Sequence, residues 1–140
     1  MIKSKYKFDT LQIHAGSRPD PSTGARQVPI YQNTAYVFKS ILQAEALFDL
    51  KELGHIYSRL SNPTVSVLQE RIATLEGGIG AVCTSSGHAA QILALFPLMS
   101  PGDNLIASTR LYGGTVQQFS NTIKKFGWNA KFVDIDNFDQ

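Results

Sequence analysis

From Ile79 onward the chain alternates short apolar runs with segments of helical period, and this alternation constrains its fold more than any other feature. Ile79–Thr84, Asn104–Ser108 and Lys131–Ile135 read as strands. Between them, His88–Met99 is apolar through Ile92, Leu93, Leu95 and Phe96, and Thr115–Phe126 repeats Val116, Phe119, Ile123 and Phe126 on one helical face. Strand–helix alternation at this spacing implies right-handed crossovers and a parallel sheet covered by helices on both faces. The expected class is therefore α/β. Ligands of such sheets sit at the carboxyl ends of strands. That rule selects the Ser86-Gly87 turn and the loop from Thr109 to Gly114.

The first of these turns has the chemistry of an anion seat. In Ala81-Val82-Cys83-Thr84-Ser85-Ser86-Gly87-His88-Ala89-Ala90 an apolar run meets two serines and a glycine, and a helix begins at once. The first helical turn leaves backbone N–H groups unpaired, and the helix dipole adds partial positive charge. Glycine admits a phosphate close to the backbone, and Ser85 or Ser86 can add a hydroxyl donor. Two familiar nucleotide motifs do not account for it. There is no Gly-x-x-x-x-Gly-Lys-Ser/Thr, and Gly78-Ile79-Gly80 precedes its strand, with Cys83 where a third dinucleotide glycine would stand.

Upstream, residues 1–38 show no sustained period and are broken by Pro19, Pro21, Gly24 and Pro29, with a turn over Asp20–Gly24. They read as an extended arm that needs a surface to lie on. Ser40 caps a short helix over about 41–52, ended by Gly54. His55–Leu60 reads as extended. Asn62 and Pro63 open an amphipathic helix through Val65, Leu68, Ile72 and Leu75, closed by Gly77-Gly78. In the extended segment Tyr57 and Arg59 fall on one face, offering a phenol and a planar guanidinium to a phosphate. From spacing alone, an ordinary strand with an exposed arginine is the better explanation of them.

Composition narrows the partners. A net charge of +2 gives no case for nucleic acid or an anionic membrane, and 43% hydrophobic residues suit a packed core. No apolar run reaches a membrane span, and the lysine-rich start (Lys3, Lys5, Lys7) has no signal-peptide core after it. A cytoplasmic setting is expected. The single cysteine, Cys83, excludes an internal disulfide and reads as a small buried hydrophobe. His14, His55 and His88 are far apart and lack metal-ligand spacing.

Three ordered motifs carry a resemblance. Tyr57-Ser58-Arg59-Leu60-Ser61-Asn62-Pro63-Thr64, then Ser85-Ser86-Gly87-His88-Ala89-Ala90-Gln91, then Leu111-Tyr112-Gly113-Gly114-Thr115 are similar to signatures of the cysteine/methionine-metabolism family of pyridoxal-phosphate enzymes. His14-Ala15-Gly16 and Val28-Pro29-Ile30-Tyr31-Gln32 match its N-terminal arm. Gly87-His88-Ala89-Ala90-Gln91 resembles the O-acetylhomoserine sulfhydrylase branch most, since lyases and cystathionine synthases more often place methionine at the His88 position. The resemblance implies an arm with a short helix over residues 1–60. Residues 61–140 would be the first part of a three-layer α/β/α domain of fold type I. It implies pyridoxal 5'-phosphate as cofactor, O-acetyl-L-homoserine and sulfide or a thiol as substrates, and a dimeric unit within a tetramer. Ser86, Gly87 and His88 would hold the cofactor phosphate. Tyr112 would stack on the pyridine ring and assist proton transfer. Tyr57 and Arg59 would reach the phosphate of the neighbouring subunit.

The chemistry also needs a Schiff-base lysine and a carboxylate on the pyridine nitrogen. The family's Ser-x-Thr-Lys setting is absent. Ser120-Asn121-Thr122-Ile123-Lys124 has one residue too many, and nothing marks Asp134 or Asp136 as the nitrogen partner. The chain therefore reads as the N-terminal portion of a longer enzyme, inactive alone. The alternatives are a non-catalytic assembly fragment awaiting a complementary polypeptide, a cystathionine γ-synthase or methionine γ-lyase type of the same family, and an α/β domain for another phosphometabolite.

Overall fold

The computed structural model describes residues 6–137. Lys3 and Lys5 of the basic N-terminal cluster lie outside the described residues, as do residues 138–140, where a further crossover is expected. The chain divides between Cys83 and Thr84 into two compact units.

The first unit holds three helices, α1 (Phe8–His14), α2 (Ile41–Phe48) and α3 (Pro63–Glu76). Helix α1 lies in the arm expected to be free of periodic structure. It is seven residues long and buries no side chain, so its apolar spacing is too short to read. It is held from outside. Arg71 on α3 donates from Nε to the Ala15 carbonyl (2.9 Å) and from Nη2 to Ser17 Oγ (2.5 Å). Between them Gly16, at φ +72°, crosses so close to α3 that a Cβ would sit 2.6 Å from the Val67 carbonyl oxygen. The Asp20–Gly24 turn forms as expected, with Asp20 Oδ1 accepting from the Ser22 and Thr23 amides and from the Thr23 hydroxyl.

Helix α2 is capped by Ser40, whose side chain accepts from the Gln43 amide. It stops at Phe48, short of the expected end near residue 52. Leu50 takes a left-handed conformation (φ 57°), and the Leu50 and Lys51 amides return to the Leu47 and Ala46 carbonyls. This is a Schellman closure made without glycine. Helix α3 begins and ends where its signals place it, with Asn62 as cap, Pro63 in the first turn and a left-handed Gly77 after Glu76. Its apolar stripe is a different matter. Val65, Leu68 and Ile72 are exposed, and Ala73 is the buried residue.

Asn62 is buried, and every polar atom of its carboxamide is engaged. Oδ1 accepts from the Thr64 amide (2.9 Å), while Nδ2 donates to the Tyr31 carbonyl (2.9 Å) and Ser58 Oγ (3.0 Å). Thr64 Oγ1 donates to the Pro29 carbonyl and accepts from the Tyr31 amide. The start of α3 thus grips residues 29–31, which have no ladder of their own.

Ile79–Thr84, expected as the first strand, forms no strand: Ile79 lies in a bend and the residues after it join no ladder. The strand ladders among the described residues form one two-stranded sheet. Ile79 and Val82 are exposed, so the apolar row that suggested a buried strand is uncovered. Cys83 is half-buried and free.

The second unit contains α4 (Gly87–Leu95), β1 (Asn104–Ser108), α5 (Gly113–Gln117) and β2 (Asn129–Val133). The strands pair in parallel from Asn104 opposite Asn129 to Ser108 opposite Val133. This α/β pairing is the one expected, although β2 starts two residues earlier than Lys131. The Asn129 amide already bonds the Asp103 carbonyl, which draws the register forward. Helix α4 ends at Leu95 instead of Met99, because Pro97 cannot donate the next helical bond. The expected single helix over Thr115–Phe126 is α5 followed by a π-helical turn (Gln118–Thr122) and a 3₁₀ turn (Ile123–Phe126). The wide turn rotates the buried face, so Thr115 and Gln118 are buried along with Ile123. Trp128 (2% exposed), Ile123 and Ala107 are the buried apolar residues of this unit, and the partly exposed rings of Phe126 (ring centroids 5.0 Å) and Phe96 (6.2 Å) lie against Trp128.

Two outcomes follow. Asn62→Ala removes a helix cap and leaves part-buried groups unpaired, and is expected to cost about 1 kcal/mol. Faster hydrogen exchange at the Tyr31 and Thr64 amides measures it. The bonds from Thr23 and Ser22 hold the Asp20 carboxyl below its ordinary value of 3.8. A depressed carboxylate keeps its bonds above the unfolded value and loses them as pH falls through the folded one. The Ser22 and Thr23 amide shifts should titrate with a midpoint below 3.8.

Candidate functional site

The Ser85–His88 turn is built as an N-terminus with spare donors. Ser86 is the N-cap of α4, with extended backbone (φ −157°, ψ 156°), and its Oγ accepts from the Ala89 amide at 3.2 Å. Thr84 Oγ1 donates to the Ser86 carbonyl (2.9 Å), which steadies the cap from behind. The first amide of the turn to find a backbone carbonyl is that of Ala90, bonded to Ser86. The Gly87 and His88 amides precede it in the turn that leaves donors unsatisfied. Ser86 Oγ accepts from Ala89 and keeps its own proton to donate. A Cβ on Gly87 would meet nothing within 4 Å, so the space above this turn is open. Two amides, one hydroxyl, a helix dipole and an open approach fit a phosphate group.

Tyr112 stands beside this turn. It is 76% exposed, and its ring lies 6.0 Å from the His88 imidazole at an interplanar angle of 40°. Gly114 passes directly beneath both rings. Helix α4 is fastened to α5 and the π-helical turn by the carboxamides of half-buried Gln91 and buried Gln118. Gln118 Nε2 donates to the His88 carbonyl (3.1 Å), and Gln91 Nε2 donates to Thr115 Oγ1 (3.0 Å). The structure therefore brings together Ser86, Gly87, His88 and Tyr112.

Tyr57 and Arg59 belong to the first unit. The segment around them is not extended as expected. Tyr57 makes one antiparallel bridge with Ala35, and the chain then turns, with the Leu60 and Ser61 amides both bonded to the Tyr57 carbonyl. Alternation is lost, yet the two side chains still meet. The Arg59 guanidinium carbon lies 5.3 Å from the centre of the Tyr57 ring, a cation–π contact that leaves the planar edge of the guanidinium free to donate. Ser58, between them, turns inward and donates to the Asn33 carbonyl.

Other candidates are accounted for. Arg110 forms ion pairs with Asp134 (3.1 Å) and Asp136, giving both acids a structural partner at the end of β2. Lys124 is exposed in the 3₁₀ turn before a left-handed Gly127. Among the described residues there is no group of three or more His, Cys, Asp or Glu able to hold a metal ion. No helix among them is long and apolar enough to cross a membrane. Sequence reasoning named Gly114, Gln91 and Thr115 only as parts of motifs and passed over Gln118. The signal for Gln118 was the polar row Thr115–Gln118, one step from the expected apolar face.

The chain has close relatives. It is 56% identical over 127 residues to O-acetyl-L-homoserine sulfhydrylase 1 of Thermus thermophilus, covering 91% of this chain and 30% of that protein. It is 49% identical over 132 residues to the homocysteine/cysteine synthase of Saccharomyces cerevisiae, covering 93% and 30%. A crystal structure of a putative O-acetylhomoserine (thiol)-lyase from Campylobacter jejuni, solved with N'-pyridoxyl-lysine-5'-monophosphate, superposes with a TM-score of 0.89 at 48% identity, covering 96% of this chain and 33% of that one. The chain thus spans about a third of the length of the proteins it matches. The profile described as "Cys/Met metabolism PLP-dependent enzyme" matches residues 9–140, and the chain belongs to that family.

Proposed function

We propose that the chain is the N-terminal portion of a pyridoxal-phosphate-dependent O-acetylhomoserine sulfhydrylase, with residues 1–60 as arm and 61–140 as the opening of the cofactor domain. The observation that carries this reading is the α4 N-terminus, with free donors at Ser86, Gly87 and His88 and the exposed Tyr112 ring beside them. The names of its relatives support the substrate. The reaction is a replacement at Cγ of O-acetyl-L-homoserine: acetate leaves, and sulfide or methanethiol adds to give homocysteine or methionine.

When bound, the cofactor supplies an electron sink for the substrate's carbons. The residues of this chain act around it. The Gly87 and His88 amides and the Ser86 hydroxyl hold its phosphate. Tyr112 covers the ring face and, through its phenol, holds or moves a proton at the substrate. Its high exposure suits a group waiting for a planar partner. Tyr57 and Arg59 form a preassembled phosphate clamp that serves the neighbouring subunit in a dimeric unit, itself half of a tetramer. The open stripe of Val65, Leu68 and Ile72 on α3 supports further protein packing against this chain. The cytoplasm is the setting that suits this chemistry and the free Cys83. The Schiff-base lysine is not in its expected setting within these 140 residues, so this chain alone has no turnover.

Titrating the purified chain with pyridoxal phosphate tests the reading. Binding should weaken at least about 10-fold in Gly87→Asp, where a carboxylate meets the phosphate, and by a similar factor in Arg59→Ala. Unchanged affinity in both variants would favour a domain for another phosphometabolite. Sulfhydrylase turnover by the chain, with a pyridoxyl adduct trapped by borohydride, would overturn the claim that it is inactive alone.

A further inference from the structure

Gly113 and Gly114 are adjacent in sequence, but their surroundings differ completely. A Cβ on Gly113 would meet nothing within 4 Å. On Gly114 it would lie 2.7 Å from Tyr112 Cε1, 2.8 Å from His88 Cε1 and 2.9 Å from His88 Nε2. Neither residue is among those with positive φ, so backbone conformation does not call for glycine at either place. Space calls for it at 114 alone. Glycine weakens a helix relative to alanine, and α5 is only five residues long, so helix propensity also argues against two glycines at its start.

We propose that Gly114 is a positioning residue for the cofactor seat: its bare α-carbon is the floor on which the Tyr112 and His88 rings converge. This rests on the reading of Tyr112 as the ring that covers the cofactor. The backbone on either side cannot yield easily. The Gln118 amide, 9% exposed, ties the π-helical turn to the His88 carbonyl, and Gln91 ties α4 to the buried Thr115. The rings can yield, because both belong to exposed side chains. A methyl group at 114 therefore displaces Tyr112 and His88 while leaving the fold in place. Gly113 is the internal control.

The test uses the 140-residue chain and the variants Gly114→Ala, Gly113→Ala, Tyr112→Ala and Tyr112→Ala/Gly114→Ala. Without ligand, nuclear Overhauser contacts between the His88 imidazole and the Tyr112 ring should persist in Gly113→Ala and vanish in Gly114→Ala, with the thermal midpoint of Gly114→Ala unchanged or raised. With pyridoxal phosphate, Gly114→Ala should weaken binding about 10-fold, and Gly113→Ala should not. In the Tyr112→Ala background Gly114→Ala should have no further effect, whereas a merely structural role would add the same loss again. Retained ring contacts, an additive loss or an unfolded Gly114→Ala chain would each overturn the proposal. If the ring contacts respond as expected but no variant changes affinity, the assignment of Tyr112 to the cofactor fails and the seating of the rings by Gly114 stands.

Discussion

The first unit depends on how an arm without regular structure satisfies its backbone. Residues 26–34, exposed except for half-buried Val28, have almost no ladder in which to pair their N–H and C=O groups. The Asn62 carboxamide and the Thr64 hydroxyl solve the problem from outside, taking the Pro29 and Tyr31 carbonyls and the Tyr31 amide. Ser58 extends the grip to the Asn33 carbonyl. The same residues start α3, so helix initiation and arm attachment are one event. The segment Tyr57–Thr64 thereby divides its labour. Ser58, Asn62 and Thr64 face inward and hold chain, and Tyr57 and Arg59 face outward and hold nothing yet.

The second unit uses related devices for another end. Ser86 caps α4 with an oxygen and retains a proton, and Gln118 and Gln91 fix the two helices that flank the turn. Hydrogen-bonded backbone surrounds a small set of exposed side chains. A ligand seat of this design can be ordered before the ligand arrives, which reduces the entropy lost on binding.

Much of this was legible in the sequence wherever a local rule decides. The Ser40, Asn62 and Ser86 caps, the Pro63 start, the Gly77 stop and β1 all obey preferences set by a few neighbouring residues. Where pairing decides, legibility failed. Ile79–Thr84 has the composition of a buried strand, but a strand exists only if another lies beside it. The π-helical turn at Gln118 leaves no mark on an apolar repeat, and it shifted the buried face by one step. Leu50 ends α2 in a conformation that propensity assigns to glycine. Tyr57 and Arg59, expected to share a face through strand alternation, meet instead where the chain turns. As for the candidate site, motifs named Ser86, Gly87, His88 and Tyr112, which the fold brings near one another, but only three-dimensional spacing separates Gly114 from Gly113.

Trp128 is the chain's single tryptophan, and it is buried in the second unit with the rings of Phe126 and Phe96 against it. Its emission is therefore a local spectroscopic voice. A melt followed by intrinsic fluorescence reports directly on when the 3₁₀ turn parts from β2. Tyrosine signals from Tyr31 and Tyr36 or isotope-resolved methods must report on the arm, α1 and α3. A tryptophan-fluorescence curve for this protein describes the surroundings of Trp128, in the unit from Thr84 onward.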